Sequence, residues 1–192
     1  MIQPAGPPTL NEHAVQCALF AMLNGDQSFM MPNFTPRGWW ECDMAVVTKS
    51  GLFVEYEIKL TKADLMADAK KHRERRFFTT SKKRDKRRIK RLPEHKHDLL
   101  KNGHTVGPSR FFYVVPIELI EHIPDWAGII TAVPGAKGKI KTFIHRKAPQ
   151  LHRHHIHRRV IDQMKTSAYW RYTRIKLEEN RTQATAPQEA RQ

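Results

Sequence analysis

Two short segments decide how the chain folds: residues 41–47, ECDMAVV, and residues 52–59, LFVEYEIK. Both are apolar enough to form buried strands, and the TKSG sequence between them is typical of a hairpin turn. Because side chains alternate between the two faces of a strand, Glu55, Glu57 and Lys59 should share one face. Three ionisable groups in a row on a half-buried surface cost free energy unless they are paired or bind a metal. This face is therefore the first candidate for an active site.

The composition indicates a globular protein with a polyanionic partner. The 192 residues suffice for one well-cored domain with extra segments, and 40% of them are hydrophobic. A formal net charge of +15 favours nucleic acid over a membrane surface as the partner. An RNA-binding, ribosome-associated protein would show the same composition, so charge alone does not choose between these classes.

The sequence does not show the features of secreted or membrane proteins. No run approaches the roughly 20 apolar residues of a membrane helix. The first eight residues, MIQPAGPP, lack the basic-then-apolar pattern of a signal peptide. Cys17 and Cys42 are the two cysteines, which are too few for a disulfide scaffold. We therefore expect a cytoplasmic protein.

Capping signals predict a helix on either side of the two strands. Thr9 followed three residues later by Glu12 is a capping-box pattern, which predicts a helix over residues 13–23 and gives Glu12 a local role as a capping carboxylate. Residues 26–39, which contain two prolines, are expected to be irregular. A second capping box at Thr61 predicts a helix from residue 62 to about residue 78. The charged residues of that helix recur at helical spacing, which fits either an exposed salt-bridging face or a role beside the active site: Asp64, Asp68, Lys71, His72 and Arg75.

A strongly basic segment follows. Residues 82–91, KKRDKRRIKR, contain eight bases, one acid and one apolar residue, so they contribute little to a core. We expect a solvated helical arm or a mobile loop, open to phosphate groups in either case. A short helix over residues 95–100 should end at the Asn-Gly pair that follows.

The rest of the chain predicts further strands and a last helix. Residues 110–116, RFFYVVP, are the clearest buried strand, and residues 117–123 predict a short helix or turn. Residues 128–133 and 139–144 predict a pair of strands. The histidines of residues 152–157, HRHHIH, have spacings that zinc sites also use, but no carboxylate or cysteine completes a set, so a basic face towards nucleic acid is favoured.

The predicted order is helix, strand, strand, helix, basic insertion, strand, with Asp43 on the first strand and Glu57-Ile58-Lys59 on the second. This order resembles the PD-(D/E)xK nuclease superfamily, whose signature is an Asp followed by Glu-x-Lys. The segment EIKLTKADLMADAKKH, residues 57–72, is similar to MmcB-like DNA repair proteins and related small phage-encoded nucleases. Two later segments are also similar to that group: PSRFFYVVP, residues 108–116, and RKAP, residues 146–149.

The resemblance implies a restriction-endonuclease-like α/β fold, with an αβββαβ core and a mixed central sheet. We place the core in residues 1–149, with the basic insertion at about residues 73–104. A basic C-terminal helix is expected at residues 150–178, followed by a polar, disordered tail at residues 179–192.

The resemblance also assigns a chemistry. Asp43, Glu57 and the main-chain carbonyl of Ile58 are expected to bind Mg²⁺ or Mn²⁺, and Lys59 to orient or deprotonate water or to neutralise the phosphorane. Magnesium accepts one or two carboxylates together with water and phosphate oxygens, and such a cation activates water for phosphodiester hydrolysis. The alternative is a buried salt-bridge network of Asp43, Glu57 and Lys59 without catalysis.

Two further acids are candidates for the same site. Glu12 matches the first-helix acid that many members of the superfamily aim at the metal, in competition with its capping role. Glu55 is either a second-metal ligand or the partner of an arginine at the strand entrance, and we favour the arginine. The residue before Asp43 is Cys42, where the superfamily signature has proline.

Basic residues outside this site are the expected DNA contacts, which give affinity without sequence preference. They are Lys70, Lys71, Arg75, Lys82, Lys83, Arg84, Lys86, Arg87, Arg88, Lys90, Arg91, Arg110, Arg153, Arg158 and Arg159.

We therefore predict a metal-dependent DNA endonuclease or exonuclease of phage or bacterial DNA repair, recombination or processing. Its place is the bacterial or infected-host cytoplasm, its partner is DNA, and it does not associate with a membrane. The sequence is also compatible with a homodimer. The alternative is a non-catalytic nucleic-acid-binding module on the same fold.

Overall fold

A six-stranded mixed sheet organises the chain in the computed structural model, which describes residues 10–25, 27–80 and 87–185. The strand order in this sheet is β1-β2-β3-β6-β7-β8, and β4 and β5 form a separate two-stranded sheet. Strands β3, β6 and β7 are parallel neighbours, whereas the other pairs are antiparallel. The elements are α1 (Glu12–Leu23), β1 (Gln27–Phe34), β2 (Cys42–Thr48), β3 (Phe53–Ile58), α2 (Lys62–Ala69), β4 (His72–Thr80), β5 (Arg87–His95), α3 (Lys96–Lys101), β6 (Arg110–Val115), β7 (Gly128–Pro134), β8 (Ile140–Arg146) and α4 (Arg158–Thr185).

The prediction of an α/β fold with a mixed central sheet is confirmed. The chain divides into two compact units, Met1–Ile156 and His157–Gln192, so the sheet and its helices α1–α3 belong to the first unit and α4 to the second. No helix in the described ranges has the length and apolar character needed to cross a membrane.

The predicted hairpin is formed by β2 and β3, which pair antiparallel with Val46 opposite Val54. Its turn is closed by a hydrogen bond from the amide of Gly51 to the carbonyl of Thr48, 2.9 Å long. Gly51 has φ +75°, a conformation in which glycine avoids the steric cost that other residues meet. The hairpin therefore folds as the sequence predicts.

The expectation of irregular structure over residues 26–39 is wrong, because residues 27–34 form β1. This strand pairs with β2 alone and lies at the edge of the sheet. An edge strand tolerates Pro32, whose missing N–H is not needed by a second neighbour. With this strand, the first five elements run helix, three strands, helix.

The start of α1 also differs from the prediction. Asn11 is the N-cap residue, and its side-chain oxygen accepts a hydrogen bond from the amide of Ala14 at 2.8 Å. Thr9 lies outside the described residues. Glu12 is the first residue of the helix, and the predicted capping box does not account for its carboxylate.

Helix α2 begins as predicted and ends early. Thr61 is the N-cap, with its hydroxyl oxygen 3.1 Å from the amide of Asp64. The helix stops at Ala69, about nine residues short of the predicted end, and β4 begins at His72. The aromatic and β-branched residues FFTT at 77–80 favour a strand, which overrides the charge pattern. Residues 72–80 and 87–95 of the basic insertion are therefore paired antiparallel strands, where a helical arm or a loop was expected, and residues 81–86 lie outside the described part of the chain.

Most of the remaining predictions are confirmed, with one exception at the C-terminal helix. Helix α3, strands β6, β7 and β8 and a 3₁₀ helix over Ile117–His122 lie where expected. Helix α4 begins at Arg158 and not near residue 150, because hydrogen bonds tie the preceding segment to the sheet unit: the amide of Leu151 donates to Ser109, and that of Ile156 to Gly51. Residues 179–185, expected to be disordered, continue α4, and residues 186–192 lie outside the described part of the chain.

Strand β3 is buried on both faces, which explains why its acids are removed from water. On one face Val54, Tyr56 and Ile58 join a hydrophobic core that includes Val15 and Leu19 of α1. The opposite face carries Glu55 and Glu57, with exposed fractions of 0% and 1%. This second face leads to the candidate site.

Candidate active site

The ammonium group of Lys59 lies where three predicted oxygen ligands meet. Its Nζ is 2.8 Å from Glu57 Oε1, 3.0 Å from the carbonyl oxygen of Ile58 and 3.7 Å from Asp43 Oδ2. Asp43 is held in place because its Oδ2 accepts a hydrogen bond from the amide of Ile58 at 2.6 Å. The hairpin thus brings Asp43, Glu57, Ile58 and Lys59 together.

A cavity of about 500 Å³ opens beside this cluster. Asp43, Ile58 and Lys59 line one side, and Glu12 lines it from α1. The side formed by α2 and the residues after it contributes Asp64, Ala67, Asp68 and Lys71. The cavity is therefore a mixed-charge pocket whose walls include most of the predicted catalytic set.

Gln16, which the sequence reasoning missed, positions α1 at the cavity. Its side-chain amide nitrogen lies 2.6 Å from Asn33 Oδ1, 3.2 Å from the carbonyl oxygen of Asp43 and 3.2 Å from Glu12 Oε1. These contacts join α1 to β1 and β2 and steer the Glu12 carboxylate towards the cavity. A lone glutamine on a helix gives no sequence signal for such a role.

Glu57 is enclosed by three lysines. Its Oε1 accepts hydrogen bonds from Lys59 at 2.8 Å and Lys71 at 2.6 Å, and its Oε2 accepts one from Lys96 at 3.0 Å. Burial alone would raise the pKa of the Glu57 carboxyl, but the three ammonium groups, Lys96 foremost, outweigh burial and bring the pKa below its ordinary value. Glu57 is therefore an ionised carboxylate in the interior.

Lys96 is the buried counter-charge of this region, and sequence reasoning did not find it. Its exposed fraction is 0%, and its Nζ lies 2.7 Å from Glu55 Oε1 and 3.0 Å from Glu57 Oε2. Burial would lower the pKa of Lys96, but the two carboxylates hold it well above its ordinary value. Lys96 is 39 residues from Glu57 and sits among other basic residues, so no spacing distinguishes it.

Glu55 is paired differently from our expectation of an arginine at the strand entrance, which is wrong. Its carboxylate is fully buried, paired with Lys96, and accepts a hydrogen bond from Trp39 Nε1 at 2.6 Å. Trp39 packs against Gly107, where an added Cβ would lie 2.5 Å from the indole ring. Burial raises the pKa of Glu55 to about 7, with Glu57 acting in the same direction. Glu55 therefore contacts the site through Lys96, and it is not among the residues that line the cavity.

Asp68 is buried, although the charge pattern allowed an exposed salt-bridging face. Its Oδ2 accepts a hydrogen bond from the hydroxyl of Tyr113 at 2.6 Å and lies 3.1 Å from His97 Nε2, while its Oδ1 is 2.8 Å from Lys71 Nζ. Burial alone would raise the pKa of Asp68, but the hydrogen bond with His97 and the other donors hold it well below its usual range. Asp68 and Glu57 together fix the ammonium of Lys71 at the cavity wall.

The oxygen atoms around Lys59 suit a hard divalent cation. Two carboxylates and one carbonyl, completed by water and substrate, are a donor set that Mg²⁺ or Mn²⁺ accepts. Within the described ranges no group of three or more His, Cys, Asp and Glu side chains is placed to hold a metal ion, which includes the histidines of residues 152–157. A cation at this point would therefore depend on Asp43, Glu57 and the Ile58 carbonyl.

The expected DNA contacts fall into three groups. Lys70, Arg153, Arg158 and Arg159 are exposed, and Lys71 lies at the cavity. Arg110 donates a hydrogen bond to the carbonyl of Ala148 at 2.7 Å, so its guanidinium is engaged within the protein. The others have side chains outside the described part of the chain: Arg75, Lys82, Lys83, Arg84, Lys86, Arg87, Arg88, Lys90 and Arg91.

Comparison with known proteins supports the fold. The sequence matches no model of a known protein family and no curated protein. A solved structure of a protein of unknown function from Silicibacter pomeroyi is similar, with a TM-score of 0.54 and 19% sequence identity, over 93% of this chain and 94% of that one. At this identity the likeness concerns the arrangement of helices and strands.

Removing the buried ammonium should strongly destabilise the protein. A Lys96→Met variant leaves Glu55 without its ion-pair partner in the interior, and we expect the free energy of unfolding to fall by about 3–5 kcal/mol, measured by urea denaturation. Lys101→Met, in an exposed lysine of the same helix, is the control and should change stability by less than about 0.5 kcal/mol. Equal effects of the two substitutions would contradict the role assigned to Lys96.

Asp43 should make stability depend on pH when chelator is present. Burial, helped by the nearby Glu57, raises the pKa of Asp43 from 3.8 to about 6. Because the folded protein favours the protonated carboxyl, this contribution to stability is present at low pH and is lost as pH rises through about 6. An Asp43→Asn variant should therefore melt at a higher temperature than the unmodified protein at neutral pH, and the difference should vanish at acidic pH.

Thermal melts at both pH values check this expectation. Asp64→Asn, in an exposed carboxylate on the same cavity, controls for the loss of one negative charge. A lower melting temperature for Asp43→Asn at neutral pH would show that the charged carboxylate is a net stabilising group.

Proposed function

We propose that this protein is a divalent-metal-dependent deoxyribonuclease of the PD-(D/E)xK type, which hydrolyses phosphodiester bonds. The observation that carries the proposal is the convergence of Asp43, Glu57 and the carbonyl of Ile58 on one cationic group, 2.8–3.7 Å from each, beside an open cavity. The cavity would give a substrate access to this point, which a purely structural salt bridge does not require.

The proposed cofactor is Mg²⁺ or Mn²⁺, held by Asp43, Glu57 and the Ile58 carbonyl. A lysine ammonium already lies within reach of these three groups, so their geometry favours a cation. A bound divalent ion there would supply a Lewis acid for the phosphate and a water of lowered pKa. Asp43 is the ligand whose protonation limits such binding, because burial raises its pKa to about 6.

The protein's own cations would bind and orient the phosphate. Lys59 and Lys71 both present ammonium groups at the cavity, and Lys71 keeps an exposed side-chain fraction of 37% while paired with Glu57 and Asp68. Lys59 would orient the attacking water or neutralise charge on the phosphorane. The loss of one such group typically lowers the rate by about 10²–10³.

DNA is the substrate that the charge favours. The net charge of +15 supplies non-specific affinity for the phosphate backbone. We propose a role in phage or bacterial DNA repair, recombination or processing, in the cytoplasm. Free Cys17 and buried, free Cys42 are compatible with a reducing compartment.

A second function is favoured by one observation. Both oxygens of Glu57 already accept hydrogen bonds from lysines, and its exposed fraction is 1%. Such a network is satisfied without a metal. The competing proposal is a nucleic-acid-binding module on the same fold that does not cleave.

A cleavage assay separates the two functions. We expect the protein to cut at least one of linear, nicked, branched and single-stranded DNA with Mg²⁺ or Mn²⁺ and none with chelator. Glu57→Gln should lower the rate by about 10²–10³, whereas Asp64→Asn, outside the convergence point, should stay within a few-fold.

Two outcomes would contradict the proposal that the protein is a nuclease with this site. Metal-dependent cutting that survives Glu57→Gln would refute the site. Absence of cutting on every DNA, together with tight and salt-sensitive binding, would favour the non-catalytic module.

Metal binding and cleavage should respond oppositely to the loss of Lys59. Because its ammonium lies among the proposed ligands, Lys59→Met removes a competing cation, and Mn²⁺ affinity measured by calorimetry should rise on the order of tenfold. Cleavage should fall in the same variant. Lys101→Met, remote from the ligands in sequence and exposed, is the control and should leave both unchanged. Unchanged or weaker Mn²⁺ binding in Lys59→Met would place the metal elsewhere.

A further inference from the structure

Helix α4 exposes three large aromatic rings in a short stretch. Tyr169, Trp170 and Tyr172 have exposed fractions of 61%, 62% and 62%. Trp170 is exposed, whereas Trp39 is buried and Trp40 and Trp126 are half-buried. The rings of Tyr169 and Trp170 are in contact, with centroids 5.3 Å apart, and adjoining exposed aromatic side chains typically mark a binding surface.

Two faces of the helix each carry an aromatic ring that is followed by a cation one turn further along. Arg174 follows Trp170 by four residues, and Lys176 follows Tyr172 by four, so each pair shares a face of the helix. The Nζ of Lys176 lies 5.9 Å from the centroid of the Tyr172 ring and 2.7 Å from Glu179. Lys165 adds a further exposed base on the Tyr172 side.

We propose that one aromatic–basic surface of α4, formed by Tyr169, Trp170 and Arg174, binds an unpaired nucleic-acid strand. Aromatic rings stack on the faces of unpaired bases, while neighbouring cations contact the phosphates, and this combination binds single strands with little sequence preference. In a duplex the base faces are covered by stacking, so the rings contribute little there.

Charge complementarity selects this occupant over a second copy of the chain. Residues 158–185 contain seven Lys and Arg and three Asp and Glu, within a chain of net charge +15. Two such helices facing each other would bring like charges together, whereas a polyanion relieves their repulsion.

The aromatic–basic surface of α4 shares no residue with the candidate active site. Strand binding by α4 would hold for a nuclease and for a non-catalytic module alike, so its test is carried out with chelator present and without cleavage. Failure here leaves the cleavage assay and the Mn²⁺ titration unaffected.

The experiment measures fluorescence anisotropy of labelled oligo(dT), oligo(U) and a duplex of equal length with the full-length protein. Trp170→Ala should weaken binding to at least one single strand on the order of tenfold, the effect of one stacked base, and change duplex binding less than twofold. Leu177→Ala, which removes an exposed apolar side chain without a ring from the same helix, is the matched control and should change neither. Comparison of oligo(dT) with oligo(U) identifies DNA or RNA as the preferred strand.

A second variant and a spectroscopic readout keep the proposal testable if Trp170→Ala misfolds. Arg174→Ala should weaken single-strand and duplex binding alike. It should also reduce the slope of log affinity against log salt concentration by about one. Tryptophan fluorescence should be quenched by oligo(dT) or oligo(U), and the quenching should disappear in Trp170→Phe. Circular dichroism verifies that each variant keeps its helix content.

Three results would overturn the proposal. Unchanged single-strand affinity in Trp170→Ala refutes stacking, and equal losses for single strand and duplex show that the ring does not read unpaired bases. A dimer that Trp170→Ala converts to a monomer, with strand affinity intact, assigns the surface to a second copy instead.

Discussion

The ion-pair network around Glu57 is the constraint on which the rest of the sheet unit depends. Burying a carboxylate such as Glu57 is costly unless opposite charges and hydrogen bonds satisfy it in the interior. Lys59 directly follows β3, Lys71 lies after α2, and Lys96 begins α3, so three separate parts of the chain meet at one side chain. This network holds α2 and α3 against the face of β3 that carries Glu55 and Glu57. The apolar core holds α1 against the opposite face of β3.

The same network gives two nearby carboxylates different chemical properties. Glu57 is kept ionised by the ammonium groups, whereas burial raises the pKa of Asp43 to about 6. Pairs of acids whose environments separate their pKa values are typical of sites that perform acid, base or metal chemistry. Asp43 is therefore the member of the pair that responds to pH near neutrality. Its partner provides a permanent negative charge.

The resemblance to a nuclease superfamily added Asp43 and the Ile58 carbonyl to the predicted site. Local patterns alone were enough to predict the hairpin and the shared face of Glu55, Glu57 and Lys59, because alternation is a property of neighbouring residues. They failed where tertiary context decides. Strand β1 contains a proline and no β-branched residue, and it forms a strand because it can pair with the edge of β2. Lys96 cannot be distinguished by sequence from the bases before it, and its burial follows from contacts with acids about 40 residues away.

The attachment of the β4–β5 hairpin has a consequence for how this protein can diversify. The amide of Lys96 donates a hydrogen bond of 3.1 Å to the carbonyl of Lys71, so the segment between them leaves and re-enters the sheet unit at one point. Loop-closure entropy grows slowly with length, and an insertion whose ends already meet can lengthen, shorten or change its charge at little cost. The two lysines at its base would keep their contacts with Glu57 throughout. A basic appendage attached in this way can change as a module without altering the oxygen cluster around Lys59.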